Sequence, residues 1–158
     1  MFYINKKSKF PTEIQVEIWK LNRDKVSGRK IAKEKEVTPA FVSKTLKEAS
    51  KRIENLMLDH ARANKIKLDL VNIELGFARG FSKMLNVKAF ITFSPSNGVQ
   101  VWYEHKGECA SCELLDTCRS FLKIEFDERN IKLESETLAP TDLGEKLFDK
   151  LEALSNDK

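Results

Sequence analysis

Apolar positions along the first third of the chain recur with the 3.6-residue period of helices. Ile14, Ile18 and Leu21 fall at i, i+4 and i+7, and Thr12 with Gln15 three residues on has the pattern of a capping box. A first helix is therefore predicted from Thr12 to a break at Lys25, Val26, Ser27 and Gly28. The stretch from Arg29 to Lys35 predicts a short second helix with Ile31 and Ala32 turned inward, and Glu36-Val37 forms a tight connection. Thr38 then caps a third helix, with Pro39 at its first position, where a missing N–H costs nothing. Val42, Leu46, Ala49, Ile53 and Leu56 follow in alternating steps of four and three, and His60 and Ala63 prolong the series. A stripe of this kind is the seam of a coiled coil, so the third helix is expected to mediate a homodimer.

After Lys65 the pattern changes. Residues Leu70 to Leu85 read as an amphipathic helix in which Gly76 and Gly80 permit close packing. The segments KAFITF and VQVWYE carry the aromatic and β-branched residues of strands, and SPSNG between them supplies a reversal. Leu143, Leu147, Phe148, Leu151 and Leu154 define a final helix that starts near Thr141 or Asp142. The expected class is α+β, with a three-helix unit and an extended third helix over residues 1–64. A small α+β domain with one hairpin is expected over residues 65–158.

Composition adds a partner class. The chain is 41% hydrophobic and 33% charged, which fits a globular protein and excludes a disordered one. No run approaches the ~18 apolar residues of a membrane span, and the charges of MFYINKKSKF follow its apolar residues, unlike a secretory signal. A cytoplasmic protein without membrane association is expected. The net charge of +4 conceals a split. Residues 1–67 carry 17 Lys and Arg against 8 Asp and Glu, whereas residues 68–158 carry 11 against 16. A basic segment draws phosphate by Coulomb steering and counterion release, and an acidic one is repelled from it.

The string IAKEKEVTPAFVSKTLKEA turns that charge into a specific expectation. Its Ile-Ala pair, the Val six residues after the Ile, the Thr cap and the Val-Ser pair occupy helix-turn-helix positions, in which one helix supports another that enters the major groove. The candidate base contacts are Thr38, Ala40, Phe41, Ser43, Lys44 and Lys47. Arg29, Lys30, Lys51 and Arg52 are assigned to phosphates, which position the protein without specifying sequence. The segment from FPTEIQVEIWKL through GRKIAKEKEVTPAFVSKTLKEASKRIENL resembles the archaeal Tfx-like regulators. More loosely, it is similar to LuxR-type regulators and the promoter-binding C-terminal region of sigma factors. The resemblance covers residues 10–58 and implies sequence-specific binding of double-stranded DNA by the third helix. One position departs from the pattern: Glu36 stands where such motifs very often carry Gly, the residue suited to a left-handed turn.

The second half has its own chemistry. Cys109, Cys112 and Cys118, spaced C-x2-C-x5-C, are all the cysteines of the chain. An odd cluster in an intracellular protein suits metal or redox chemistry better than a disulfide framework. His105 would complete a Cys3His zinc site. The alternative is an iron-sulfur cluster, because this spacing resembles the cysteine run of certain iron-sulfur nucleases. Those bring a fourth cysteine from afar, which this chain lacks, so His105, Asp116 or an exogenous ligand would serve the last iron. A CxxC thiol switch without metal is a third reading. There is no Gly-rich phosphate loop and no G-x-S-x-G elbow, and His60 and His105 are the only histidines, so no enzyme is expected. The sequence is thus read as a DNA-binding transcription regulator whose C-terminal domain senses metal or redox state. The competing reading is a metal-containing adaptor that does not bind DNA.

Overall fold

Thr12 opens helix α1 (Glu13–Arg23), and Gln15 reaches back to accept the Thr12 N–H at 3.0 Å. The computed structural model describes residues 9–135 and 137–157. Residues 1–8, most of the segment read against a secretory signal, lie outside the described residues. Helix α2 (Gly28–Glu34) is capped by Ser27 Oγ, which accepts the Lys30 N–H at 3.3 Å. Helix α3 (Pro39–Ala63) is capped by Thr38 Oγ1, which accepts the Phe41 N–H at 3.1 Å. Ile18, Ile31, Ala32 and Val42 form the core that these three helices share.

The connection between α2 and α3 closes in a Schellman motif. Val37 N–H donates to Ala32 O at 3.0 Å and Glu36 N–H to Lys33 O at 3.3 Å, with Glu36 itself left-handed at φ 54°. The departure at Glu36 therefore leaves the turn intact: a non-glycine residue holds the left-handed position, and Val37 packs onto the three-helix core. The end of α1 repeats this arrangement, with Lys25 at φ 65° and Val26 N–H donating to Leu21 O.

Four strands follow as an antiparallel meander: β1 (Ile66–Asn72), β2 (Phe77–Ser82), β3 (Val87–Ser94) and β4 (Gly98–Tyr103). The C-terminal half of α3 lies across one face, where Ala49, Ile53, Met57 and Ala61 meet Ala78, Ala89, Ile91 and Phe93. Trp19 of α1 joins that core, its ring edge-on to Phe93 at 5.3 Å and its Nε1 donating to Ile73 O at 3.1 Å. Helices α4 (Leu115–Glu128) and α5 (Pro140–Asn156) cover the opposite face, burying Leu122, Phe126, Leu147 and Phe148 against Phe77 and Phe90. The sheet is thus the middle of three layers. Each large apolar side chain fully buried there stabilises the fold by about 1.5–3 kcal/mol.

Two expectations are overturned. The helix read from Leu70 to Leu85 is instead the end of β1, a turn and β2. Phe77 and Ala78 point to opposite faces and both are fully buried, so covering the sheet on both sides erased the alternation that marks a strand. Gly80 serves the close packing expected of it, but between strands: a Cβ there would lie 2.4 Å from Lys67 O. The second correction concerns the coiled-coil seam. Ala49, Ile53, Met57 and Ala61, four residues apart, face the chain's own sheet, while His60 is half-buried and Ala63 exposed. The seam is occupied within one chain and is not free to pair with a second copy.

The hairpin of β3 and β4 forms where expected, its reversal closed by Gly98 at φ 66°. Helix α5 begins at Pro140, next to the predicted Thr141. Helix α4 had no counterpart in the sequence reading.

Candidate functional site

Two surfaces collect the residues singled out above. The first is built on α2 and the N-terminal half of α3, held at their mutual angle by the Glu36 turn. Arg29, Lys30, Thr38, Ala40, Phe41, Ser43, Lys44, Lys47 and Lys51 are all exposed. Phe41 keeps 42% of its surface in solvent. Among the described residues no salt bridge engages Arg29, Lys44 or Lys47, whereas Lys30 pairs with Glu34 at 3.9 Å and Lys51 with Glu54 at 3.3 Å. The Thr38 hydroxyl is committed to its cap. Arg52, half-buried, donates to Phe10 O at 3.0 Å, which ties the segment before α1 to α3. The helical face is therefore a basic surface with a single protruding aromatic ring.

The second is a cavity of about 820 Å³ between the outer sheet face, α5 and the segment from Glu104 to Cys118. Cys109, Cys112, Cys118 and His105 all line it. Cys109 belongs to a short 3-10 turn (Cys109–Ser111), and its thiol lies 3.7 Å from Thr141 Oγ1 at the start of α5. Cys112 is exposed, and Cys118 sits on the first turn of α4. Burial, and then the neighbouring Cys112 and Cys109, push the Cys118 thiol above its ordinary pKa. His105 folds over the backbone at Gly107, where an added Cβ would fall 2.1 Å from Nε2. All three cysteines are free thiols, and among the described residues no three His, Cys, Asp or Glu side chains are arranged to grip a metal ion. The four predicted donors are thus brought to one cavity without being drawn into a coordination shell.

Sequence reasoning missed the other walls of this cavity. Phe90 and Phe148 stack at 4.3 Å, with Trp102 tilted against Phe148 at 6.0 Å. Three elements far apart in the chain supply these rings, so no local motif announces them.

At the other end of α4 the polar groups are deeply buried. Glu125, fully buried, binds Arg129 Nη1 at 2.5 Å and accepts from Ser94 Oγ at 2.7 Å and Asn97 Nδ2 at 2.6 Å. Arg129 also donates to Leu75 O, Gly76 O and Phe93 O.

Compared with family models, curated proteins and solved structures, the chain matches none.

Proposed function

We propose that this protein is a transcription regulator that binds double-stranded DNA through α2 and α3 in a helix-turn-helix. In this reading α3 enters the major groove with Phe41, Ser43, Lys44 and Lys47 toward base edges, while Arg29, Lys30 and Lys51 meet phosphates. Thr38 and Ala40 sit at the start of that helix, close to the groove floor. The observation that carries the reading is the exposed face of α3, where Lys44 and Lys47 have no salt-bridge partner among the described residues and stand beside the exposed Phe41. The protein acts in the cytoplasm as a homodimer whose contact surface lies outside the buried α3 stripe.

Fluorescence anisotropy with duplex DNA at graded salt tests this. Affinity falls steeply as salt rises, Arg29→Ala or Lys51→Ala lowers the salt slope by about one, and Lys44→Ala or Lys47→Ala weakens binding to the preferred sequence most. Ser43→Ala relaxes sequence preference while leaving that slope unchanged. Binding indifferent to salt and to both lysines would leave the adaptor reading in its place.

The cysteines give the regulator its signal. Thiolates are soft donors suited to zinc or an iron-sulfur cluster, and Cys109, Cys112, Cys118 and His105 would hold that group when the 104–118 segment closes on it. Helix α4 carries Cys118 at its first turn and reaches α1 at its last, which supports a route from thiols to the DNA-facing helices. Absorbance of anaerobically purified protein, with zinc and iron quantified together, separates the two groups. Protein containing neither, with three freely titratable thiols, would overturn metal binding.

A further inference from the structure

The cavity has a second end that the thiols do not occupy. Cys109 meets Thr141 at the beginning of α5, whereas Asp149 lies eight residues further along, about 12 Å at 1.5 Å per residue. At that far end the half-buried Trp102 presents aromatic surface, with the edge of the buried Phe148 beside it and Phe90 stacked behind. The Trp102 Nε1 is engaged with Thr92 Oγ1 at 2.9 Å, so its polar edge is satisfied within the fold.

The charge lining this space is one-sided. Asp142, Glu145, Asp149 and Glu152 lie along one stripe of α5, and Glu104 and Glu108 face them, against Lys88 and Lys106. Glu152 is bound by Arg79 at 2.9 Å. Glu145 and Asp149, one turn apart and exposed, have no salt-bridge partner among the described residues. A volume of about 820 Å³ falls within the range of about 300–1,000 Å³ that holds small organic ligands. Aromatic faces attract cations through their quadrupoles, and carboxylates at the rim add to that attraction.

We propose that this end of the cavity binds an organic cation: an ammonium or guanidinium compound with an apolar body, its body against Phe148 and Trp102 and its charge at Glu145 and Asp149. A neutral molecule of the same shape would use only the apolar floor. An anion would meet the carboxylates unfavourably.

The test uses three molecules of one shape, 4-phenylbutylammonium, 4-phenylbutanol and 4-phenylbutanoate, titrated into the full chain without DNA and followed by calorimetry and tryptophan emission. The chain has two tryptophans, and Trp19 is 1% exposed and out of a ligand's reach, so a change in emission on titration reports on Trp102. The ammonium is expected to bind about tenfold more tightly than the alcohol, and the carboxylate weakest. Glu145→Gln combined with Asp149→Asn removes that preference while the alcohol still binds. Trp102→Phe abolishes the emission change. No binding of the ammonium, equal binding of ammonium and alcohol, or a preference that survives the double variant would overturn the proposal. DNA is absent from every arm, so such a failure leaves the DNA-binding reading standing.

Discussion

Arg23, in the last turn of α1, donates to the backbone carbonyl of Glu128 in the last turn of α4, joining helices 105 residues apart. Its guanidinium also lies 5.2 Å from the Trp19 ring. Burial, and then the nearby Arg129, lower its pKa. The N-terminal helices are thereby fastened to the helix that begins beside the cysteines. Arg23→Met keeps the packing of the stem but loses the hydrogen bond and the cation–π contact. It is expected to destabilise the protein by about 1–2 kcal/mol in urea denaturation. If α4 carries the signal from the thiols, the same variant also uncouples DNA affinity from metal content.

The Glu125 and Arg129 pair is a stronger dependence. Both side chains are removed from solvent, and Arg129 satisfies three backbone carbonyls from two separate parts of the sheet layer. Glu125→Ala strands that guanidinium opposite a cavity, for which a cost of about 3–5 kcal/mol is expected. Chemical denaturation measures it, and a change below about 1 kcal/mol would mean that Arg129 finds another counter-charge.

The left-handed Glu36 offers a gain in stability. A residue with a Cβ pays about 1–2 kcal/mol in this conformation and glycine does not, though glycine gives up more chain entropy on folding. Glu36→Gly should raise stability by about 0.5–1 kcal/mol without altering the turn. Glu36→Val should lower it, because a β-branched residue is least suited to positive φ. Thermal melts of the two variants are expected to move in opposite directions.

Two glycines make a further contrast. An added Cβ at Gly28 meets nothing within 4 Å, and Gly28 is the first residue of α2, so Gly28→Ala is expected to be neutral or stabilising by up to about 1 kcal/mol. At Gly80 the Cβ would be driven into the Lys67 backbone, and Gly80→Ala should loosen β1 from β2. Hydrogen exchange shows this as faster exchange confined to residues 66–72 and their partners.

The N-terminal helices were legible because their signals are local: Thr12 with Gln15, and Thr38, mark helix starts within one turn, and Ile14, Ile18 and Leu21, like Val42, Leu46, Ala49 and Ile53, recur at helical spacing. The hairpin was equally legible, its β-branched and aromatic runs flanking a Pro, an Asn and a Gly. Strands β1 and β2 were not, because cores on both sheet faces replace alternation with nearly continuous burial. Helix α4 was hidden by Glu125 and Arg129, charged residues on a side that a hydrophobic pattern would leave to solvent. The cysteines were visible as a spacing, but the cavity around them was not. Phe90, Trp102 and Phe148 become neighbours only when β3, β4 and α5 assemble.

Helix α3 spans 25 residues, about 37 Å, without interruption. Val42 belongs to the three-helix core and Ile53 to the core on the sheet, so one rod is keyed at both ends. Its two ends share a rotational phase. Adding a single residue near Glu48 would turn one end by about 100° relative to the other, whereas adding seven returns them to within about 20°. The direction in which Phe41 and Lys44 face is therefore set by the sheet below as firmly as by the turn above.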